Sequence, residues 1–224
     1  MTIFIQFAKR ILQFLKLSDP IEGIAISKKI GYRDYVGGRW KEIGSLQIKF
    51  LIKEGLKQTD CVYDIGCGSL RGGRHFIKYL DECNYIGIDK EDFLIKEGLK
   101  NEIGKELIAV KKPTFITCEN FNFNSISRNP DIAIAQSLFT HLNIKDLSLC
   151  LKNLREVVKI NHRFYATFFE GSSTLNRRLS NSFTVFFYRY EKLREIAFKL
   201  GWQAHYIGDW GHPRNQKMIK FTPL

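Results

Sequence analysis

The chain has 224 residues, 44% of them hydrophobic and 26% charged, a balance that suits one folded domain and excludes a disordered or fibrous chain. Lys and Arg outnumber Asp and Glu by 35 to 23, a formal net charge of +12 that favours anionic partners without choosing among metabolites, nucleic acid and acidic lipid. Cys61, Cys67, Cys83, Cys118 and Cys150 make an odd count with no CxxC pair, so a zinc ribbon and a paired disulfide framework both fit poorly, no metal site is expected, and a reducing cytoplasm fits better.

Residues 2–16 put Thr2, Gln6, Lys9, Arg10, Gln13 and Lys16 on one helical stripe, with Ile3, Phe4, Ile5, Phe7, Ile11, Leu12, Phe14 and Leu15 around the rest of the circumference. Pro20 ends the pattern. Two readings stay open for this amphipathic segment. It packs on its own domain or a second subunit, or it lies in the inner face of a membrane with its cations toward lipid phosphates. Lys9 and Arg10 interrupt what a signal peptide would keep apolar, and no run of eighteen apolar residues offers a membrane span.

Downstream, helix and strand alternate. A helix over 38–57, stopped by Gly55, leads to a strand at Cys61–Ile65, a helix at Leu70–Leu80, and a strand at Tyr85–Ile88 followed by Asp89. A helix near 91–107, strands at Thr114–Cys118 and Asp131–Ala135, a helix at Leu147–Lys159 and a strand at Arg163–Phe169 follow. A helix at Tyr190–Leu200 precedes a closing antiparallel hairpin of Trp202–Trp210 and Gln216–Thr222. This order predicts an α/β, doubly wound, mostly parallel sheet covered on both faces. The octapeptide FLIKEGLK occurs at Phe50–Lys57 and again at Phe93–Lys100; one pair is too few for a solenoid and reads as two helix ends built alike.

The most informative segment is Cys61–Gly73, CVYDIGCGSLRGG, a short apolar strand running into a glycine cluster and then a helix. Glycines there allow a sharp turn and close backbone approach to a ligand. Asp89 lies 23 positions after Gly66 (89 − 66) at the end of the next strand, where an acid can accept from both hydroxyls of a ribose. A dinucleotide fingerprint needs a third glycine where Arg71 stands. Asp64, beside the turn, would repel a pyrophosphate and suits a ligand with a cationic amino group, so an amino-acid-bearing nucleoside fits better than a dinucleotide.

Val62–Gly68 (VYDIGCG) resembles the first motif of class I S-adenosylmethionine-dependent methyltransferases, and Asp89 matches that family's ribose-binding acid. Tyr35–Gln47, Leu70–Gly73, Ser137–Leu142 and Gly211–Met218 resemble a bacterial small-molecule or glycan-pathway branch, over roughly residues 30–224. The resemblance implies a seven-stranded Rossmann-like sheet with its last strand antiparallel. It implies three segments: an N-terminal helix at 1–19, a covering segment at 20–58 and the methyltransferase domain at 59–224. Leu70 departs from the glycine more usual at its position, and Asn161-His162 from a usual Gly-Gly.

The cofactor implied is S-adenosyl-L-methionine. Gly66, Cys67 and Gly68 would approach it, Asp64 would face its amino group, Asp89 with Lys90 its ribose, Asn120 and Phe121 its adenine, and Gln136 its methionine end. For methyl transfer to N or O of a small polar or anionic acceptor, phosphorylated or sugar-linked, His141 is the candidate base, since an imidazole accepts a proton near neutral pH. Arg33, Arg39, Tyr188, His212 and Arg214 are the candidate acceptor contacts. Nucleic acid is not the expected acceptor: no Asn/Asp-Pro-Pro-Tyr/Phe motif follows the fourth strand and no Pro-Cys dipeptide occurs. Those alternatives are a nucleic-acid methyltransferase and a non-catalytic subunit that keeps the cofactor site.

Overall fold

The computed structural model describes residues 23–172 and 179–224. The amphipathic segment at 2–16 lies outside them. Among the described residues no helix is long and apolar enough to cross a membrane.

The helices are α1 (Ile24–Ile30), α2 (Tyr32–Tyr35), α3 (Trp40–Lys53), α4 (Gly73–Tyr79), α5 (Asp92–Glu102), α6 (Lys105–Lys111), α7 (Ile144–Val157) and α8 (Tyr190–Lys199). The strands are β1 (Val62–Ile65), β2 (Tyr85–Asp89), β3 (Thr114–Thr117), β4 (Ile132–Ala135), β5 (Arg163–Glu170), β6 (Phe187–Tyr188), β7 (Trp202–Asp209) and β8 (Lys217–Pro223). They form one sheet in the order β3-β2-β1-β4-β5-β8-β7, with the two-residue β6 added alongside β5. All pairings are parallel except those of β8 with β5 and β7. The seven-strand path with its last strand antiparallel is the one expected from the sequence; β6 was not expected.

Period-two alternation divides the inner strands between two cores. Tyr63, Ile65, Ala133, Ala135, Phe164 and Ala166 pack on one face with Leu147, Leu151 and Leu193 of α7 and α8. Val62, Ile132, Ile134 and Tyr165 pack on the other with Leu51 of α3 and Phe76 and Ile77 of α4. Chain order reverses between β1 and β4, which opens a crevice at their carboxyl ends, where α/β sheets bind ligands.

Several boundaries differ from the sequence reading for local reasons. Helix α7 begins three residues early because Asn143 caps it, its Oδ1 accepting from Lys145 N at 2.9 Å and Asp146 N at 3.0 Å. The helix expected over 91–107 breaks after Glu102, and Gly104 starts a second one. The two FLIKEGLK copies are not built alike. In the first, helix α3 stops at Lys53 and Gly55 turns with φ +86°. In the second, helix α5 continues through Gly98 to Glu102, because Gly98 packs directly on the glycine-rich turn.

That contact explains Leu70. It takes φ +67°, the left-handed region that favours the glycine usual there, and its side chain is fully buried. Burial of a leucine, worth about 2 kcal/mol or more, outweighs the roughly 1–2 kcal/mol of backbone strain. A Cβ on Gly98 would stand 2.7 Å from Leu70 Cγ and 2.7 Å from Ser69 O. In a free helix Gly→Ala gains about 1 kcal/mol. Here Gly98→Ala is expected to lower the thermal midpoint, measured by circular dichroism; a rise would contradict the packing described.

Candidate functional site

The carboxyl ends of β1, β2 and β4 open into a cavity of about 1130 Å³, large beside the ~300–1,000 Å³ typical of one small-molecule site and roomy enough for two ligands. Asp64, Ile65, Gly66, Cys67 and Gly68 line it from β1, Asp89, Lys90 and Glu91 from β2, and Gln136, Ser137 and Leu138 from β4.

The glycine turn is held by the acid that ends β2. Asp89 Oδ2 accepts from Gly68 N at 2.8 Å and Oδ1 from Glu91 N at 2.9 Å. Gly66 and Gly68 take φ +76° and +52°, and Gly66 N and Cys67 N donate to Ile88 O. Burial pushes the Asp89 carboxyl up against the opposing pull of these amides. The Cys67 thiol is likewise pushed well up by burial and then by the two carboxylates, so it stays a thiol.

Asp64 is 4% exposed, and Tyr85 Oη donates to its Oδ2 at 2.8 Å. Gly73 lets that hydroxyl pass, since a Cβ there would collide with it. Burial raises Asp64 to about 7; the tyrosine hydrogen bond and Arg71 oppose the rise and Asp89 adds to it.

A polar network crosses the floor. Gln136 Oε1 accepts from Arg71 Nη2 at 2.6 Å and Gln47 Nε2 at 3.5 Å, and Gln136 Nε2 donates to Ser137 Oγ at 2.6 Å. Gln216 Oε1 accepts from Thr167 Oγ1 at 2.8 Å and Ser137 Oγ at 3.0 Å, which holds Ser137 at φ +61°. His212 lies at this floor, 5% exposed, with Nε2 3.2 Å from Gln136 Nε2 and its ring stacked on Trp210. Burial, then Arg71, Arg214 and Arg39, push it down to about 4, so it is neutral at physiological pH.

His141 faces the cavity from the turn after β4, and its Nδ1 lies 2.8 Å from Thr184 O. A carbonyl can only accept, so Nδ1 carries the hydrogen and Nε2 of the neutral ring keeps its lone pair. Thr184 is fixed by Asn181, whose Oδ1 accepts from Phe183 N and Thr184 N. Along this extended stretch Phe183, Val185 and Phe187 face the cavity while Thr184, Phe186 and Tyr188 are buried.

Of the residues expected from the sequence, the cavity gathers Asp64, Gly66, Cys67, Gly68, Asp89, Lys90, Phe121, Gln136, His141 and Arg214. Five expectations need correcting. His212 is buried against Gln136 and Trp210 and does not line the cavity. Tyr188 points into the core and donates to Leu142 O at 2.6 Å, because alternation turns it away from Phe187. Arg33 lies over the Trp40 ring and pairs with Glu102 at 2.6 Å, and Arg39 pairs with Glu42 at 3.1 Å. Asn120 lines a separate hollow of about 350 Å³ beside β3, and Glu119 reaches the main cavity in its place. Arg71, Gln47, Ser137 and Gln216 were missed. Arg71 had stood only for an absent glycine, and the others meet through contacts far apart in the chain.

Asp64 also bears on stability. Its folded value of about 7 lies above the ordinary 3.8, so the folded state binds more protons than the unfolded state between these limits. Stability is therefore lost as pH rises through that window, by on the order of a few kcal/mol. Asp64→Asn keeps an acceptor for Tyr85 and is expected to raise the thermal midpoint by several degrees at pH 8, with the gain shrinking at pH 5.5. An equal or lower midpoint at pH 8 would contradict this.

No family model matches the chain. Among solved structures it is similar to magnesium protoporphyrin IX methyltransferase from Synechocystis PCC 6803 with bound SAM, at 14% identity over 93% of this chain and 100% of that one, TM-score 0.62. It is similar to a TehB-like SAM-dependent methyltransferase from Corynebacterium glutamicum ATCC 13032, at 14% identity over 89% and 97%, TM-score 0.59. It is similar to human N-acetylserotonin methyltransferase in complex with SAM, at 10% identity over 95% and 61%, TM-score 0.66. At these identities the likeness is one of fold: the chain has the architecture of these enzymes.

Proposed function

We propose that this protein transfers a methyl group from S-adenosylmethionine to an N or O atom of a small polar acceptor. The observation that carries this reading is the pair of acids at the crevice: Asp64, buried with one hydroxyl as its donor among the described residues, and Asp89, bonded to the turn beside it. A buried carboxylate facing a cavity calls for a cation, and the cofactor's ammonium supplies one. The fold shared with the SAM-bound structures supports the same assignment.

Asp64 would hold the amino group and Asp89 the ribose hydroxyls. Phe121 would cover the adenine, with Glu119 in reach of its exocyclic amine. Bound there, the cofactor supplies a methyl already activated on a sulfonium sulfur. The chain's part is to align the acceptor, exclude water and take a proton. His141 Nε2 accepts that proton from the attacking hydroxyl, or from an ammonium that then attacks as the neutral amine, while Thr184 O steadies the ring through Nδ1. Leu138, Val185 and Phe187 give the acceptor's approach an apolar wall. The glycan-pathway branch of the family is the context this reading favours, with the covering segment and the carboxyl-terminal hairpin toward the acceptor.

Isothermal titration with S-adenosylhomocysteine tests the reading. Binding should tighten as pH rises toward about 7, by up to about tenfold per unit, because a proton on Asp64 must leave before it can hold an ammonium; above that it should level off. Asp89→Ala should weaken binding by about tenfold or more. His141→Ala should leave cofactor affinity unchanged and slow turnover by about a hundredfold or more. Undiminished turnover in His141→Ala removes it from the mechanism, and no binding at millimolar ligand overturns the assignment.

A further inference from the structure

Two guanidinium groups meet at the cavity, and neither has a carboxylate partner among the described residues. Arg71, 7% exposed, donates Nη1 to Val36 O at 3.2 Å and Gly38 O at 2.9 Å, and Nη2 to Gln136 Oε1 at 2.6 Å. Arg214 reaches in from the β7–β8 turn and donates Nη2 to Gly37 O, the carbonyl between those two. All these partners are neutral. A guanidinium has five N–H donors, and Arg214 places one of them on protein through its side chain.

The position is built for Arg214. A Cβ on Gly37 would stand 2.7 Å from Arg214 Nη1, so the guanidinium lies on bare backbone. Burial lowers both arginines, to about 10 for Arg71; Arg214 lowers Arg71 further while Asp64, beyond pairing distance, opposes the fall, and Arg39 lowers Arg214. Like charges gathered in a half-closed cavity are relieved when an anion lies between them.

We propose that Arg71 and Arg214 form an anion site that takes a phosphate or carboxylate group of the acceptor. This rests on the methyltransferase reading and narrows its acceptor class. Sheet order favours the acceptor as the source of the anion. Arg214 comes from β7 and β8, on the far side of β4 and β5 from the β2 and β3 edge that carries Asp89 and Phe121. The anion then anchors one end of the acceptor, and its nucleophile extends toward His141. The same anion bridges arginines that grip Val36–Gly38, so acceptor binding also fixes that turn over the cavity.

Titration calorimetry with inorganic phosphate, on free protein and on protein saturated with S-adenosylhomocysteine, tests this. Phosphate should bind the saturated protein, and Arg71→Lys and Arg214→Gln should each weaken it by about tenfold or more, with a melting transition that stays cooperative and S-adenosylhomocysteine affinity held within about threefold. Phosphate that binds the variants as well as the wild type overturns the proposal. So do variants that lose S-adenosylhomocysteine but keep 5′-methylthioadenosine, since the pair then serves the cofactor's own carboxylate. Protein that binds phosphate through these arginines but no S-adenosylhomocysteine refutes the methyltransferase reading and leaves the anion site standing.

Discussion

Asp64 holds a carboxylate out of water at the carboxyl end of β1, and much of the cavity is arranged around that burial. Strand alternation turns its side chain to the face shared by Ile132, Ile134 and Tyr85, and the reversal of chain order between β1 and β4 opens the space in front of it. Tyr85 supplies one hydrogen bond and Gly73 gives the hydroxyl room to arrive. Among the described residues no cation pairs with that acid, although Arg71 is near enough to lower it, and a ligand with an amino group would supply one. The apo protein carries the cost as a raised carboxyl, the usual exchange of stability for function at a binding site.

The cavity also holds the converse arrangement. Arg71, Arg214 and neutral His212 surround an amide and hydroxyl network that runs from Gln47 through Gln136 to Gln216. That network satisfies buried polar atoms without neutralising the arginines. The backbone over the cavity is gripped from both sides. Arg71 and Arg214 hold Val36–Gly38, while Glu102, its side chain 2% exposed, gathers Tyr32, Arg33, Trp40 and Arg74. Burial pushes Glu102 up, but these donors together leave it lowered and therefore ionised.

Local patterns were legible in the sequence, and long-range partners were not. Asp64, Gly66, Gly68 and Asp89 announce themselves because a strand, a glycine turn and an acid after the next strand are close in the chain. The parallel order and the closing hairpin follow from alternation. Arg33 and Arg39 looked like acceptor contacts beside the aromatics, yet a carboxylate 69 residues away claims the first. Tyr188 ends a short extended segment in which period two turns it away from Phe187 and into the core. The two FLIKEGLK copies carry the plainest lesson. Identical residues end one helix and continue another, because Leu70 and Ser69 wait beside Gly98, whereas Arg163 takes the carbonyls of Glu54 and Gly55.

The central claim is that Asp64 gives up a proton to receive a ligand's ammonium. Calorimetry of S-adenosylhomocysteine binding at pH 6.5, repeated in buffers of different ionisation enthalpy, counts that proton directly. With Asp64 near 7 in the free protein, most of one proton should be released on binding, and none when Asp64 is replaced by Asn. Binding with no proton released by the wild-type protein, or with the same release from Asp64→Asn, would contradict the account.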